Sequence, residues 1–214
     1  MWRQTAPGVF EGDHLTDEQR DKLEVRFRIS NLPGITWETH RFARWEHSEE
    51  TEEAHNAALA FLDGKTHHFL SLIGGPGLGK THLAIAIAWD WLESFKGTVL
   101  YYQVESLLDD LRKGFKVEYE AGETQADRLL HFAKWCSLLV LEDFGAHKGT
   151  EWADAKLDEI TDHRYLYRLS TVITSNIPRD ALPERIADRM SEGAVVILKG
   201  SSRRREKSGQ TQLR

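Results

Sequence analysis

The octapeptide Gly74-Gly75-Pro76-Gly77-Leu78-Gly79-Lys80-Thr81 satisfies the pattern G-x-x-x-x-G-K-[ST] at every required position, and that pattern works only between a strand and a helix. Both flanks are present. Residues 68–73 are apolar and β-prone, and residues 81–94 carry Leu83, Ala84, Ile87, Ala88 and Trp91 along one helical face. A loop of this kind turns backbone N–H groups inward on a phosphate chain. Lys80 reaches the β and γ oxygens, the Thr81 hydroxyl ligates Mg²⁺, and the positive end of the helix lies beneath. The eight residues and the following His82 are the expected nucleotide-binding set. A guanine nucleotide is disfavoured, because no Asn-Lys-x-Asp occurs in the chain.

Apolar runs at 68–73, 98–103, 138–142, 171–175 and 195–199 alternate with helical stretches. The expected fold class is therefore α/β, a parallel sheet covered on both faces. The 214 residues, 40% of them hydrophobic, suffice for one such domain. No apolar run is long enough to span a membrane and the start has no apolar signal core, so no membrane partner and a cytoplasmic location are expected. The single cysteine, Cys136, sits at the start of an apolar strand and reads as a small core residue.

Residues 1–33 read as an N-terminal arm or adaptor with one short helix, entered through the capping box Thr16-Asp17-Glu18-Gln19. After the turn at Asn31-Leu32-Pro33-Gly34, the aromatics Trp37, Phe42 and Trp45 either pack on the domain edge or flank an adenine, with core packing the expected use of each. Ser48 starts a helix with a buried face of Ala54, Ala57, Ala58, Phe61 and Leu62, and Gly64 ends it. The net charge of −6 conceals a tail of +4 at residues 201–214 and −10 on the rest, which argues against broad coating of nucleic acid.

Three further elements carry chemistry. Strand 138–142 delivers Glu142 and Asp143 beside the phosphate loop, where one carboxylate serves the Mg²⁺ and the other orients or deprotonates a water; by position Glu142 is the metal carboxylate. Strand 171–175 ends on Asn176, either a group that touches the γ-phosphate or an ordinary turn residue before Ile177-Pro178. Arg185 and Arg189 lie one helical turn apart, either solvated or completing a neighbour's site.

Together these residues resemble the AAA+ ATPases of the DnaC/DnaI helicase-loader family and its transposition relative IstB. The matching stretches are 74–84 (GGPGLGKTHLA), 138–146 (LLVLEDFGA), His163-Arg164-Tyr165, 173–177 (ITSNI), 185–190 and 200–203 (GSSR). The resemblance implies a three-layer αβα P-loop sandwich with a five-stranded parallel sheet and no full helical lid. It divides the chain into the arm at 1–33, an ATPase domain at 34–203 and a basic tail at 204–214. It implies ATP and Mg²⁺ as cofactors, Asn176 as sensor 1, Arg189 as the arginine finger with Arg185 as fallback, and Arg203 as sensor 2. The implied partners are a replicative DNA helicase, single-stranded DNA and further copies of the chain in a head-to-tail oligomer. The implied DNA-contact region holds Tyr101, Tyr102, Arg112, Lys113, Phe115, Lys116 and Tyr119, whose interleaved rings and cations suit stacking with phosphate neutralisation; the alternative is an amphipathic helix with a solvated basic face.

Three features depart from the family pattern. Glu142 stands where Asp is usual, which is expected to slow hydrolysis or shift the roles of the two acids. The N-terminal region is short and free of cysteine, and the chain ends soon after Arg203. Competing readings are an IstB-like transposition regulator, a P-loop small-molecule kinase, for which neither acceptor pocket nor closing lid is visible, and an ATP switch of negligible turnover.

Overall fold

A computed structural model of the chain describes residues 3–6, 9–11, 15–65, 67–119, 122–146 and 149–200. A short antiparallel pair, β1 (Arg3–Ala6) and β2 (Val9–Glu11), precedes helix α1 (Asp17–Ile29), the turn α2 (Thr36–Thr39) and helix α3 (Glu49–Leu62). The order then alternates: β3 (Phe69–Gly74), α4 (Lys80–Glu93), β4 (Val99–Gln103), α5 (Val104–Gly114), α6 (Gln125–Trp135), β5 (Leu138–Glu142), α7 (Glu151–Leu166), β6 (Ser170–Ser175), α8 (Glu184–Ser191) and β7 (Ala194–Leu198).

The five strands β3 to β7 form one parallel sheet in the order β4-β5-β6-β3-β7. Each expected strand is present to within a residue at either end. β3 and β5 are buried along nearly their whole length, as strands covered on both faces must be. One core, built on Leu70, Leu72, Val140 and Val172, is closed by α1, α3 and α4; the other, built on Phe69, Leu139, Leu141 and Ile173, is closed by α5 to α8. The structure is thus the expected αβα sandwich. No helix among the described residues is long and apolar enough to cross a membrane.

The Thr16/Gln19 capping box forms and starts α1. Packing is continuous across the expected boundary at residue 33. Leu23 and Leu32 are buried in the same cluster as α4, and Phe27 stacks on Trp89 with ring centroids 5.4 Å apart. The Tyr101 N–H donates to the Ser30 carbonyl at 2.8 Å and Asn31 Nδ2 donates to the Tyr101 carbonyl at 3.0 Å, so this segment covers the outer edge of β4.

Arg164, on α7, is fully buried and has no carboxylate partner among the described residues. Its Nη1 donates to the carbonyls of Ala133 (3.0 Å), Lys134 (3.3 Å) and Cys136 (2.9 Å), Nη2 to Ser170 O, and Nε to Thr171 Oγ1 at 2.9 Å. The guanidinium therefore caps the C-terminal turn of α6, where the helix dipole favours a cation, and ties it to β6. Cys136 packs beside it as a buried free thiol, which desolvation pushes up from its ordinary pKa. Arg164→Met is expected to leave several buried acceptors without donors and to cost about 3 kcal/mol. Thermal unfolding should show a Tm lower by roughly 10 °C, and an unshifted Tm would contradict the capping role.

Candidate active site

The parallel register brings the C-terminal ends of β3, β5 and β6 side by side, so the residues that follow these strands meet at one edge. At the end of β3 the chain turns through residues 75–79 into α4. Gly79 is the N-cap at φ +95°, and a Cβ there would lie 2.6 Å from the Trp45 ring, so only glycine fits both the conformation and the contact. Trp45 is buried in the core beneath the loop and is not an exposed edge residue.

Lys80 is buried and its Nζ donates to three acceptors, Gly74 O, Gly75 O and Asn176 Oδ1, each at 2.8 Å. Asn176 continues the chain, its Nδ2 donating to Asp143 Oδ1 at 2.8 Å. The amide thus lies between the ammonium of the loop and a carboxylate from the neighbouring strand. Asp143 adopts φ +54°, a conformation that Asp tolerates better than most residues, and its N–H donates to Thr174 Oγ1 at 3.1 Å.

Glu142 is buried next to it. Burial, together with the Asp143 charge, raises its carboxyl above the ordinary range, only partly offset by hydrogen bonds with the Thr81 and Thr174 hydroxyls and by the Lys80 charge. Its Oε1 has no hydrogen-bond partner among the described residues. A buried carboxylate oxygen left over beside the Thr81 hydroxyl suits a hard, oxygen-preferring cation. Among the described residues no group of three or more His, Cys, Asp or Glu side chains forms a metal site, so Mg²⁺ here would draw its remaining ligands from phosphate and water.

The structure therefore joins Gly74, Gly75, Lys80, Thr81, Glu142, Asp143 and Asn176 in one hydrogen-bonded edge. His82 is turned to the other side. Its Nε2 lies 2.9 Å from the Arg41 carbonyl, and its ring meets Trp45 edge-on at 5.3 Å and His40 at 5.2 Å. Arg185 and Arg189 project from α8 onto α7. Arg189 Nε donates to Asp162 Oδ1 at 3.0 Å and its guanidinium lies 4.3 Å over the Tyr165 ring; Arg185 Nη2 donates to Asp162 Oδ2 at 2.6 Å. Arg203 lies outside the described residues.

Sequence reasoning missed three groups. Thr174 holds both acids in place, and its signal is register: Leu141 pairs with Ile173, which sets Thr174 beside Glu142. Asp162 is the shared acceptor of the two arginines, with no sequence signal beyond its place on a polar helix face. The third is the clamp of residues 36–45 along α4, where Trp89 Nε1 donates to Thr36 Oγ1 at 2.9 Å, Trp37 Nε1 donates to Glu93 Oε1 at 2.8 Å, and Arg41 pairs with Glu93. Trp89 and Glu93, one turn apart on α4, were its legible half.

The family model described as IstB-like ATP binding protein matches residues 8–209. The replicative helicase loader DnaC of Buchnera aphidicola subsp. Baizongia pistaciae is 30% identical over 190 residues, covering 84% of this chain and 75% of that protein. The chromosomal replication initiator protein DnaA of Lactobacillus johnsonii is 26% identical over 198 residues, 90% of this chain but 41% of the initiator. The chain likewise spans only 35% and 58% of two further curated relatives that it matches. A crystal structure of the DnaC helicase loader superposes with a TM-score of 0.65 at 20% identity, over 75% of this chain and 97% of that one, which shows a shared fold.

Proposed function

The chain belongs to the IstB-like ATP binding protein family and is a DnaC-type AAA+ protein, and on that premise we propose that it hydrolyses ATP to load a replicative helicase onto single-stranded DNA. The observation that carries the catalytic part is the chain Lys80–Asn176–Asp143, which links a phosphate-binding cation to a carboxylate through one amide. A bound triphosphate displaces the Lys80 ammonium from its backbone acceptors, and the N-terminus of α4 adds partial positive charge under the β-phosphate. Thr81 and Glu142 would hold Mg²⁺, which would neutralise negative charge on the phosphate chain. Asp143 accepts the proton of the attacking water, and Asn176 fixes the orientation of that carboxylate. The γ-phosphoryl group passes to the water oxygen and ADP leaves.

Asp143→Asn is accordingly expected to retain ATP while turnover falls by about 10² or more. Glu142→Asp should keep or raise turnover, because the shorter carboxylate withdraws from Thr81 and leaves more room for a hydrated cation. Steady-state ATPase rates with parallel ATP titrations check both. The reverse pattern, a dead Glu142→Asp beside an active Asp143→Asn, exchanges the two roles.

For the strand, the supporting surface follows β4. Arg112 lies 4.7 Å over the Trp152 ring, Arg128 lies 3.9 Å over Tyr119, and Phe115 and Tyr119 are exposed beside Lys113 and Lys116. The helix ends at Gly114, so Phe115 to Tyr119 stand on a turn clear of its regular face. Arg112→Ala with Lys113→Ala is expected to weaken binding of an oligothymidylate and to lower the slope of log K against log salt by about 0.7 per lost phosphate contact. An unchanged slope returns this face to a solvated role. The loading step is tested by pull-down of the host replicative helicase with and without ATP, followed by transfer onto closed single-stranded circles. The IstB-like alternative, a transposition regulator, predicts capture of a transposase instead.

A further inference from the structure

At the opposite edge of the sheet, where the strands begin, the turns α6–β5 and α7–β6 place a second group of rings and cations. Trp135, Tyr167 and Leu166 are 46%, 52% and 74% exposed. The Trp135 ring lies 4.5 Å from His163 and 4.8 Å from Tyr167, and His163 lies 4.5 Å from Tyr167, so the three form one contiguous aromatic surface. Beside it a cavity of about 700 Å³ is lined by residues that include His67, His68, Tyr165, Arg168 and Ser170, with the Glu192 carboxylate also in its wall. The Leu166–Tyr167–Arg168 turn is common to both.

Arg168 is the informative residue. It follows the C-cap of α7 at φ +51°, the position where helices usually place glycine, and its side chain is exposed. Asn31 and Phe95 take the same conformation after α1 and α4, so it is the charge that Arg168 brings to the cavity lining, not its backbone, that bears on a ligand. The cations near this turn are Arg168, Lys134 and the buried Arg164, in a chain whose net charge is −6. Among the described residues Arg164 is buried with neutral acceptors only, whereas Glu192 is engaged by Tyr165 and Arg189, and Glu159 by Lys134 and Lys156. His68 is held below its ordinary pKa chiefly by burial, with Arg168 and His67 adding and Glu192 opposing; His163 is lowered chiefly by burial too, with Lys134, Arg164 and His131 adding and Glu159 opposing.

We infer that this edge is a second contact surface for single-stranded nucleic acid, in which bases stack on Trp135 and Tyr167 and a phosphate is held by Arg168 at the mouth of the histidine-lined cavity. Exposed rings beside a cation suit a strand without sequence preference, and a compact partner helix would leave the cavity and Arg168 unused. The inference rests on the proposed single-strand binding for its ligand but on different residues, some distance from the surface after β4.

The test is fluorescence anisotropy of a labelled 30-nucleotide oligothymidylate with the full chain, over a salt series. Arg168→Gly relieves the backbone and removes the charge. It is expected to raise Tm by about 3 °C while weakening binding and lowering the salt slope by about 0.7. Tyr167→Ala is expected to weaken binding about tenfold with the slope unchanged, because a ring contributes stacking and no charge. Arg168→Gly with wild-type affinity and slope overturns the inference, whatever its Tm. If Arg112→Ala/Lys113→Ala alone weakens binding, the proposed function stands and this surface does not; if the wild-type chain binds no strand, both fall. A change in sedimentation of Tyr167→Ala with unaltered DNA binding would make the edge a protein-docking surface and overturn the inference.

Discussion

Lys80→Ala is expected to raise the Kd for ATP about a hundredfold and to abolish turnover. The ammonium is the one cation that the loop itself presents to the phosphates, and a charge-assisted hydrogen bond to an anion is worth roughly 1.5–3 kcal/mol, the upper end of which is about a hundredfold in Kd. The structure adds a second consequence. Lys80 Nζ also holds Gly74 O, Gly75 O and Asn176 Oδ1, so its removal loosens the loop and releases the Asn176 amide that orients Asp143. Binding and chemistry should therefore fail together, whereas Asp143→Asn separates them. Calorimetric titration with ATP gives the first quantity and a steady-state rate the second. Wild-type affinity in the variant would remove the loop as the nucleotide site.

The parts of this site that were legible in sequence are those in which one segment carries the whole signal. Gly74 to Thr81 names a backbone conformation, a cation and a hydroxyl by itself, and five apolar runs between helices name a parallel sheet. Glu142, Asp143 and Asn176 were found because strand ends in such a sheet converge on one edge, whatever the strand order. What stayed hidden depends on pairs across elements. Thr174 reads as one more β-branched strand residue until register sets it against Glu142. Arg164 reads as a polar position on α7 until α6 arrives with its carbonyls. The arm at 1–33 reads as an adaptor because it shows little periodicity, yet two buried leucines, one stacked phenylalanine and two hydrogen bonds to Tyr101 join it to the sheet. Trp45 had two open readings, core or adenine, and it packs in the core directly under the loop that holds the phosphates.

Arg189→Ala is expected to bind ATP and to lose turnover by about 10³ to 10⁵, the range typical of an arginine that stabilises charge on the transferred phosphoryl group. Within one chain, Arg189 is 29% exposed and is bonded to Asp162, close to Glu192 and stacked on Tyr165, all in the same protomer. Acting on a neighbour's γ-phosphate requires it to leave that carboxylate. Surface pairs of this kind are worth only about 0.2–1 kcal/mol, which a triphosphate readily outbids. In a head-to-tail assembly the loop and the finger of one site come from different copies, and this makes the claim testable by mixing. Lys80→Ala retains its finger and Arg189→Ala retains its loop, so random assembly at equal amounts restores roughly a quarter of the interfaces. The measurement is ATPase rate against mixing ratio with single-stranded DNA present, and recovery should peak near equal mixing. If no ratio recovers activity while mass measurement shows mixed assemblies, Arg189 is not the group that crosses the interface. Arg185 would then take its place, being 66% exposed on the same face of α8 and bonded to the other oxygen of Asp162. The same mixing experiment with Arg185→Ala decides between them, because only the true finger is complemented by Lys80→Ala.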